Sequence, residues 1–271
     1  MGAINYTWLE QYGRISTSPA SNPVYDILLA SLRDTAQAED MLKVYNEHLR
    51  ADSLRTAAVY FMHSVRGLLL GIHYMNSMCD TMLDISLDNI RLQLVVQDGY
   101  PAFHFQLLDG TEHVHPAPPG KNEHESAAAG LARKAMLTAY YGEQLRPLIE
   151  GAAEAGGANT GQMWAQLASI LTWFKTMAVQ MDITEDERKA VIQGYEHVIT
   201  MPPEILGLRK NLLHFKPVEI DSPYQPGEKM LMKSTCCLHY KVYGGQDYCY
   251  SCPKLSKAER QNRYEILAAS R

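Results

Sequence analysis

Residues 53–75, SLRTAAVYFMHSVRGLLLGIHYM, set the class of fold. Leu54, Ala57, Ala58, Phe61, Val65, Leu68 and Leu69 recur every three to four positions, the period of one apolar helix face. Further along, the period drops to two. Ile90, Leu92 and Leu94 alternate with Arg91 and Gln93, and Phe103 and Phe105 alternate with His104 and Gln106, as in half-buried strands. Asp98-Gly99 and Asp109-Gly110 are turn signals. A small antiparallel β-meander is therefore expected over 88–115, with its third strand running through Val114.

Upstream of this pattern, 24–33 and 37–50 read as short helices. Downstream, 116–125 is a polar, Pro-rich loop, and a helix over 126–149 is expected to stop near Pro147. The Gly- and Ala-rich stretch 151–161 reads as a loop. It holds the first half of a phosphate-binding loop without the Lys-Ser/Thr that would grip phosphate and magnesium. Met163, Leu167, Ile170, Leu171, Phe174, Met177, Ala178 and Met181 then share one helix face. Thr184 and Glu187 make a capping box for a helix to about 199, and Pro202-Pro203 break the chain. A short helix over 204–213, an extended stretch over 217–227 and a closing helix over 257–269 complete the reading. The expected fold is α+β and mainly α-helical: a helical body with a β-meander over 1–228, and a C-terminal module over 229–271.

At 271 residues and 46% hydrophobic content the chain is long enough for one main core, and disorder is excluded as its default state. The formal charge of −5 argues against nonspecific nucleic-acid binding. That value hides a split: residues 1–204 sum to −10 and residues 205–271 to +5. The first residues have neither a basic nor an apolar leader segment, and no apolar run approaches the ~18 residues that span a bilayer. The simplest expectation is a cytoplasmic protein with no integral membrane segment. In that compartment clustered thiols are metal ligands or redox groups rather than disulfides.

Four of the five cysteines fall in one run, Cys236-Cys237-x11-Cys249-x2-Cys252. Four thiolates are the ligand set of a [2Fe–2S] centre or of one tetrahedral zinc. A zinc knuckle more often pairs two separated C-x2-C arms than an adjacent Cys-Cys. Neighbouring side chains diverge in extended backbone, so the 236–237 pair needs an irregular chain path, and Gly244-Gly245 allow the loop to fold back. Lys233, Lys241, Lys254 and Lys257 would offset the charge of a thiolate cluster.

The run CCLHYKVYGG…YCYSCP, residues 236–253, resembles the C-terminal signature of the FhuF-type ferric siderophore reductases. That family spaces its Cys-Cys pair about ten residues from a Cys-x-x-Cys; this chain has eleven. The resemblance implies a [2Fe–2S] cluster held by Cys236, Cys237, Cys249 and Cys252. It also implies an oxidoreductase that passes one electron to Fe(III) held by a siderophore. No G-x-G-x-x-G follows a predicted strand, so electrons are expected from a separate donor, a ferredoxin- or flavin-type reductant.

A noncatalytic siderophore-binding protein and a helical protein with a structural four-cysteine zinc site are the other readings. Lys233 and Lys241 are the first candidates for substrate contact, with His239, Tyr240, Arg133 and Lys134 behind them. Arg209, Lys210 and Lys216 are further cations for an anionic chelate of the hydroxamate or citrate-hydroxamate type. Tyr243, Tyr248 and Tyr250 are expected to pack the module. Of the histidines, His239 lies inside the motif and His214 just before the module, while His104, His113, His115 and His124 read as a solvated strand end and loop. Cys79 reads as a buried inert thiol.

Overall fold

The structure is a computed structural model that describes residues 2–117, 123–245 and 247–269. The middle of the loop expected at 116–125 lies outside the described residues. In chain order the helices are α1 (Tyr6–Trp8), α2 (Thr35–Leu49), α3 (Leu54–Met78), α4 (Glu123–Ala139), α5 (Arg146–Gly156), α6 (Thr160–Ala178), α7 (Glu185–Thr200) and α8 (Lys257–Ala269). The strands are β1 (Ile15–Ser16), β2 (Tyr25–Leu28), β3 (Thr81–Met82), β4 (Ile90–Gln97), β5 (Tyr100–Leu107), β6 (His113–Val114), β7 (Glu219–Asp221) and β8 (Lys229–Leu231). The fold is α+β and mainly helical. No helix among the described residues is long and apolar enough to cross a membrane.

Helix α3 is the central element. Ser53 caps it through the Thr56 N–H, and nearly its whole surface is covered by α2, α5, α6 and α7. Ala57, Ala58, Phe61, Val65, Leu68 and Leu69 are all fully buried. The predicted helix at 184–199 is also present, with both hydrogen bonds of the Thr184–Glu187 capping box formed.

The meander needs correction. β4 and β5 pair antiparallel through the Asp98-Gly99 turn, but β6 leaves them and pairs with β3 in a separate two-stranded sheet. The main sheet has the order β1-β5-β4-β2, with β1 parallel to β5. Strand β2 takes half of the segment read as a helix over 24–33; the rest, Leu29–Arg33, is a 3-10 turn. Its extended state is set by pairing with Arg91–Leu94, a nonlocal partner that local periodicity does not reveal.

Pro147 does not end a helix. The chain passes through a π-turn at Tyr140–Leu145, and Pro147 then lies in the first turn of α5, where its missing N–H costs nothing. The stretch read as a loop is helical to Gly156, with Gly157 closing it in the left-handed conformation. Gly151 is required by close packing: a Cβ there would lie 2.1 Å from the Leu32 carbonyl oxygen. The helix expected at 204–213 reduces to a 3-10 turn at Pro203–Leu206.

Candidate metal centre

Two helices hold the cysteine segment. From α6, Ser169 Oγ accepts from the Ser234 N–H at 2.7 Å, and Gln162 Nε2 donates to the Cys236 carbonyl at 3.1 Å. From α8, Arg260 donates to the carbonyls of Tyr250 and Cys252, and Arg263 to that of Tyr248. The first segment is further tied to the body by Tyr243 N–H to Leu49 O at 2.9 Å and by Asp52 N–H to Lys241 O at 3.1 Å. Gln162, Ser169, Arg260 and Arg263 were not singled out by the sequence; an Arg pair at i, i+3 on the closing helix was the available signal.

The irregular path that adjacent cysteines demand is present. Leu238, directly after the pair, has φ 61°, and Gly244 and Gly245 have φ 82° and 99°. A left-handed Leu is unfavourable and persists only where its surroundings fix it. The C-x2-C arm closes on itself through Cys252 N–H to Cys249 O at 2.8 Å.

The thiols meet in two pairs, Cys237 with Cys249 and Cys236 with Cys252. Among the described residues no three His, Cys, Asp or Glu side chains are grouped as a site for a single metal ion. Cys236, Cys237 and Cys252 are buried; Cys249 is half-buried. Lys233 Nζ donates to both Cys237 Sγ and Cys249 Sγ at 3.4 Å. The contact with Cys237 and the nearby Lys233 charge bring the Cys249 thiol down to about 6, against the cost of burial. The same contact, with burial, raises Cys237. Lys233 therefore favours negative charge on this pair of sulfurs. Burial opposes the Lys233 charge, but the two sulfurs overcome it and its pKa is raised. Burial raises Cys252 as well.

From α3, His63 faces the same pair. Its buried Nε2 finds no hydrogen-bond partner of good geometry, and the group it interacts with is the Cys237 sulfur. Burial lowers its pKa, with Cys237 working in the opposite direction. A sulfur-only donor set in two pairs, with the Lys233 cation beside one of them, fits a two-iron cluster that takes two thiolates per iron.

Residues 234–254 match the family described as FhuF 2Fe-2S C-terminal domain. Over that stretch the chain is similar to the FhuF type. The cofactor of its FhuF-type domain is a [2Fe–2S] cluster. No curated protein matches the chain.

The remaining candidates scatter. Lys233 lies on the thiols, whereas Lys241 is spent on Asp52 at 2.5 Å, a partner that holds that carboxyl down to about 2. His239 Nδ1 lies 3.3 Å from the Tyr60 hydroxyl, and Tyr240 packs on Tyr248 with Lys241 and Lys254 near its ring. Tyr243 packs edge-on against Tyr100, and the Tyr250 hydroxyl donates to Asp221 O. Arg133 and Lys134 sit on α4, where Arg133 donates to the Ala117 carbonyl. Arg209, Lys210, His214 and Lys216 are exposed.

The four histidines of the middle region do not form one group. His113 is exposed, His104 half-buried, and His115 buried with Nδ1 accepting from the Ala117 N–H, so the solvated reading fails for His115. The side chain of His124 lies outside the described residues. Cys79 is fully buried, and burial pushes its thiol up to about 12.

A cavity of about 590 Å³ opens beside Cys237. It is bounded by Met62, His63 and Arg66 of α3, by the Gln166–Gln180 face of α6 with the turn beyond it, and by β8 with Lys233. Of the sequence-predicted substrate residues only Lys233 lines it.

Proposed function

We propose that the chain is a cytoplasmic ferric-siderophore reductase, in which Cys236, Cys237, Cys249 and Cys252 ligate the [2Fe–2S] cluster. The thiol pairing supports a cluster in which Cys237 and Cys249 hold one iron and Cys236 and Cys252 the other. The body, 1–228, carries most of the chelate-binding surface and 229–271 carries the cluster. The observation that carries the reading is the opening of a ligand-sized cavity against a proposed cluster thiol, Cys237.

Bound in this cage, the cluster supplies a one-electron carrier. The protein's own groups do the rest. Lys233 stabilises negative charge on the Cys237–Cys249 side, the side nearest the cavity. The other pair is buried among Leu238, Val242 and neighbouring core residues, away from water. Hydroxamate and carboxylate oxygens are hard ligands that hold Fe(III) far more tightly than Fe(II), so one electron loosens the metal without breaking the chelator. The balance is one electron in from a ferredoxin- or flavin-type donor and one Fe(III) converted to Fe(II). No general acid or nucleophile is needed.

The test is stopped-flow mixing of dithionite-reduced protein with a ferric hydroxamate under argon. Reoxidation of the visible spectrum, with stoichiometric Fe(II) captured by a ferrous chelator, is expected. A reduced protein that every ferric chelate leaves reduced would refute the reductase reading.

A further inference from the structure

The charge of the cavity wall is one-sided. Arg66, Lys229 and Lys233 line it, and among the described residues no Asp or Glu does. Lys229 is paired with Asp221, and Lys233 is turned onto the thiols. Arg66 is exposed and has no carboxylate partner among the described residues. A guanidinium presents a planar fork of donors that matches a carboxylate. Part of the wall is apolar, formed by Met62, Ile170, Trp173 and Met177. Ser169, Thr176 and Gln180 supply scattered neutral polar groups. The volume is that of an ordinary small-molecule site.

We infer that this cavity is the chelate site, and that it takes a ferric complex of net negative charge whose chelator carries a free carboxylate. The inference rests on the reductase reading for the metal's oxidation state but not for the site itself. Arg66 takes the carboxylate. The face of α6 around Ile170, Trp173 and Met177 packs the apolar arms of the chelator. Lys233 lines the inner wall between the occupant and the Cys237–Cys249 sulfurs, adding a second positive charge on that side. Arg66 and His63 lie three residues apart on α3, so one helix face aims both at the site. A neutral tris-hydroxamate complex gains the apolar contacts but leaves Arg66 without a counter-charge.

Gallium(III) replaces Fe(III) in such complexes and cannot be reduced, so binding is separable from turnover. The probes are gallium(III) complexed by a citrate-dihydroxamate chelator whose hydroxamate arms carry carboxylates left free of the metal, an anionic complex, and gallium(III) complexed by a neutral tris-hydroxamate. Equilibrium dialysis against cluster-loaded protein measures both. Wild type is expected to bind the anionic complex at least tenfold more tightly than the neutral one. Arg66→Gln is expected to lose that preference, weakening the anionic complex about tenfold and the neutral one less than twofold, and Arg66→Lys to recover part of it. Thr176→Trp, which fills the cavity, is expected to abolish binding of both with the visible spectrum of the cluster intact.

Binding that neither Arg66→Gln nor Thr176→Trp alters overturns the inference, as does a wild type that binds neither complex. If wild type reduces ferric chelates while the variants bind gallium normally, the site alone is wrong. If gallium binding follows the expected pattern but no chelate reoxidises the cluster, the reductase reading is wrong and the site stands.

Discussion

Replacing Lys233 by Met removes a cation that donates to the sulfurs of both Cys237 and Cys249, the proposed ligands of one iron, at 3.4 Å from each. Reduction adds one negative charge to the cluster, and Lys233 favours the more negative state. Its removal therefore makes reduction harder and lowers the potential. Two unit charges 4 Å apart interact by about 4 kcal/mol at an effective dielectric of about 20. With ~1.36 kcal/mol and ~59 mV each equal to a tenfold change for one electron, that corresponds to about 170 mV.

The added electron resides beyond the sulfurs and Lys233 is half-buried, so distance and solvent screening reduce this to a drop of roughly 50–100 mV. A spectroelectrochemical titration of loaded wild type, Lys233→Met and Lys233→Arg reads it directly. The Arg variant, which keeps the charge, should fall between the two. Lys241→Ala is the control, since Lys241 is paired with Asp52 and contacts no thiol in the hydrogen-bond network described; it should stay within ~20 mV of wild type by the same screening argument. A Lys233→Met protein with full cluster content and an unchanged potential would refute the electrostatic role assigned to this lysine.

Three further outcomes follow from the same structure. Gly67→Ala would place a Cβ 2.1 Å from the Gly13 carbonyl oxygen, so urea unfolding should show a loss at or above the ~1–3 kcal/mol typical of overpacking. Burial holds His73 down to about 3 and His115 to about 4, so below the ordinary histidine range the unfolded chain binds protons that the folded chain refuses. Stability is then fully present above about pH 6.5 and falls as pH drops toward 4, and the urea midpoint should track this, with a shallower slope in His73→Asn. After cluster removal, iodoacetamide at pH 7 should label Cys249 first, because its thiol is lowered to about 6, and Cys79 last; peptide mass mapping that finds Cys79 labelled early would contradict its burial.

What was legible in the sequence is what is local. The helix through Phe61 and Leu68, the capping box at Thr184 and the β4–β5 hairpin are written in spacings of two to four residues, and all three form. The cysteine run was legible because its chemistry needs four thiols near one another in any fold. Strand β2 was misread because its partner lies almost seventy residues away, and α5 because Pro147 is harmless in a first helical turn. The cavity was the least legible feature. Arg66 and His63 reach Cys237 across more than 170 residues of chain, and no spacing encodes that approach. Their one trace is compositional: two basic or titratable side chains three apart in the central helix of the molecule, where most side chains are buried.

The site is thus assembled from two separable sources, and a substitution in each should report on a different property. Arg260 on α8 contacts no cavity residue's side chain in the network described, yet donates to the carbonyls of Tyr250 and Cys252 and so fixes the C-x2-C arm. Hydrogen bonds from a charged donor are worth about 1.5–3 kcal/mol. Arg260→Ala should therefore loosen the Cys249–Cys252 arm and release the cluster to an iron chelator roughly tenfold faster or more, read as loss of visible absorption, since ~1.4 kcal/mol is already a factor of ten. The affinity for gallium chelate should be unchanged while the cluster remains bound. Arg66→Gln should do the reverse, changing chelate affinity at constant cluster lifetime. A variant of either residue that moved both properties together would mean that α3 and α8 act on one coupled unit, and the division between a cluster-holding module and a chelate-selecting body would fail.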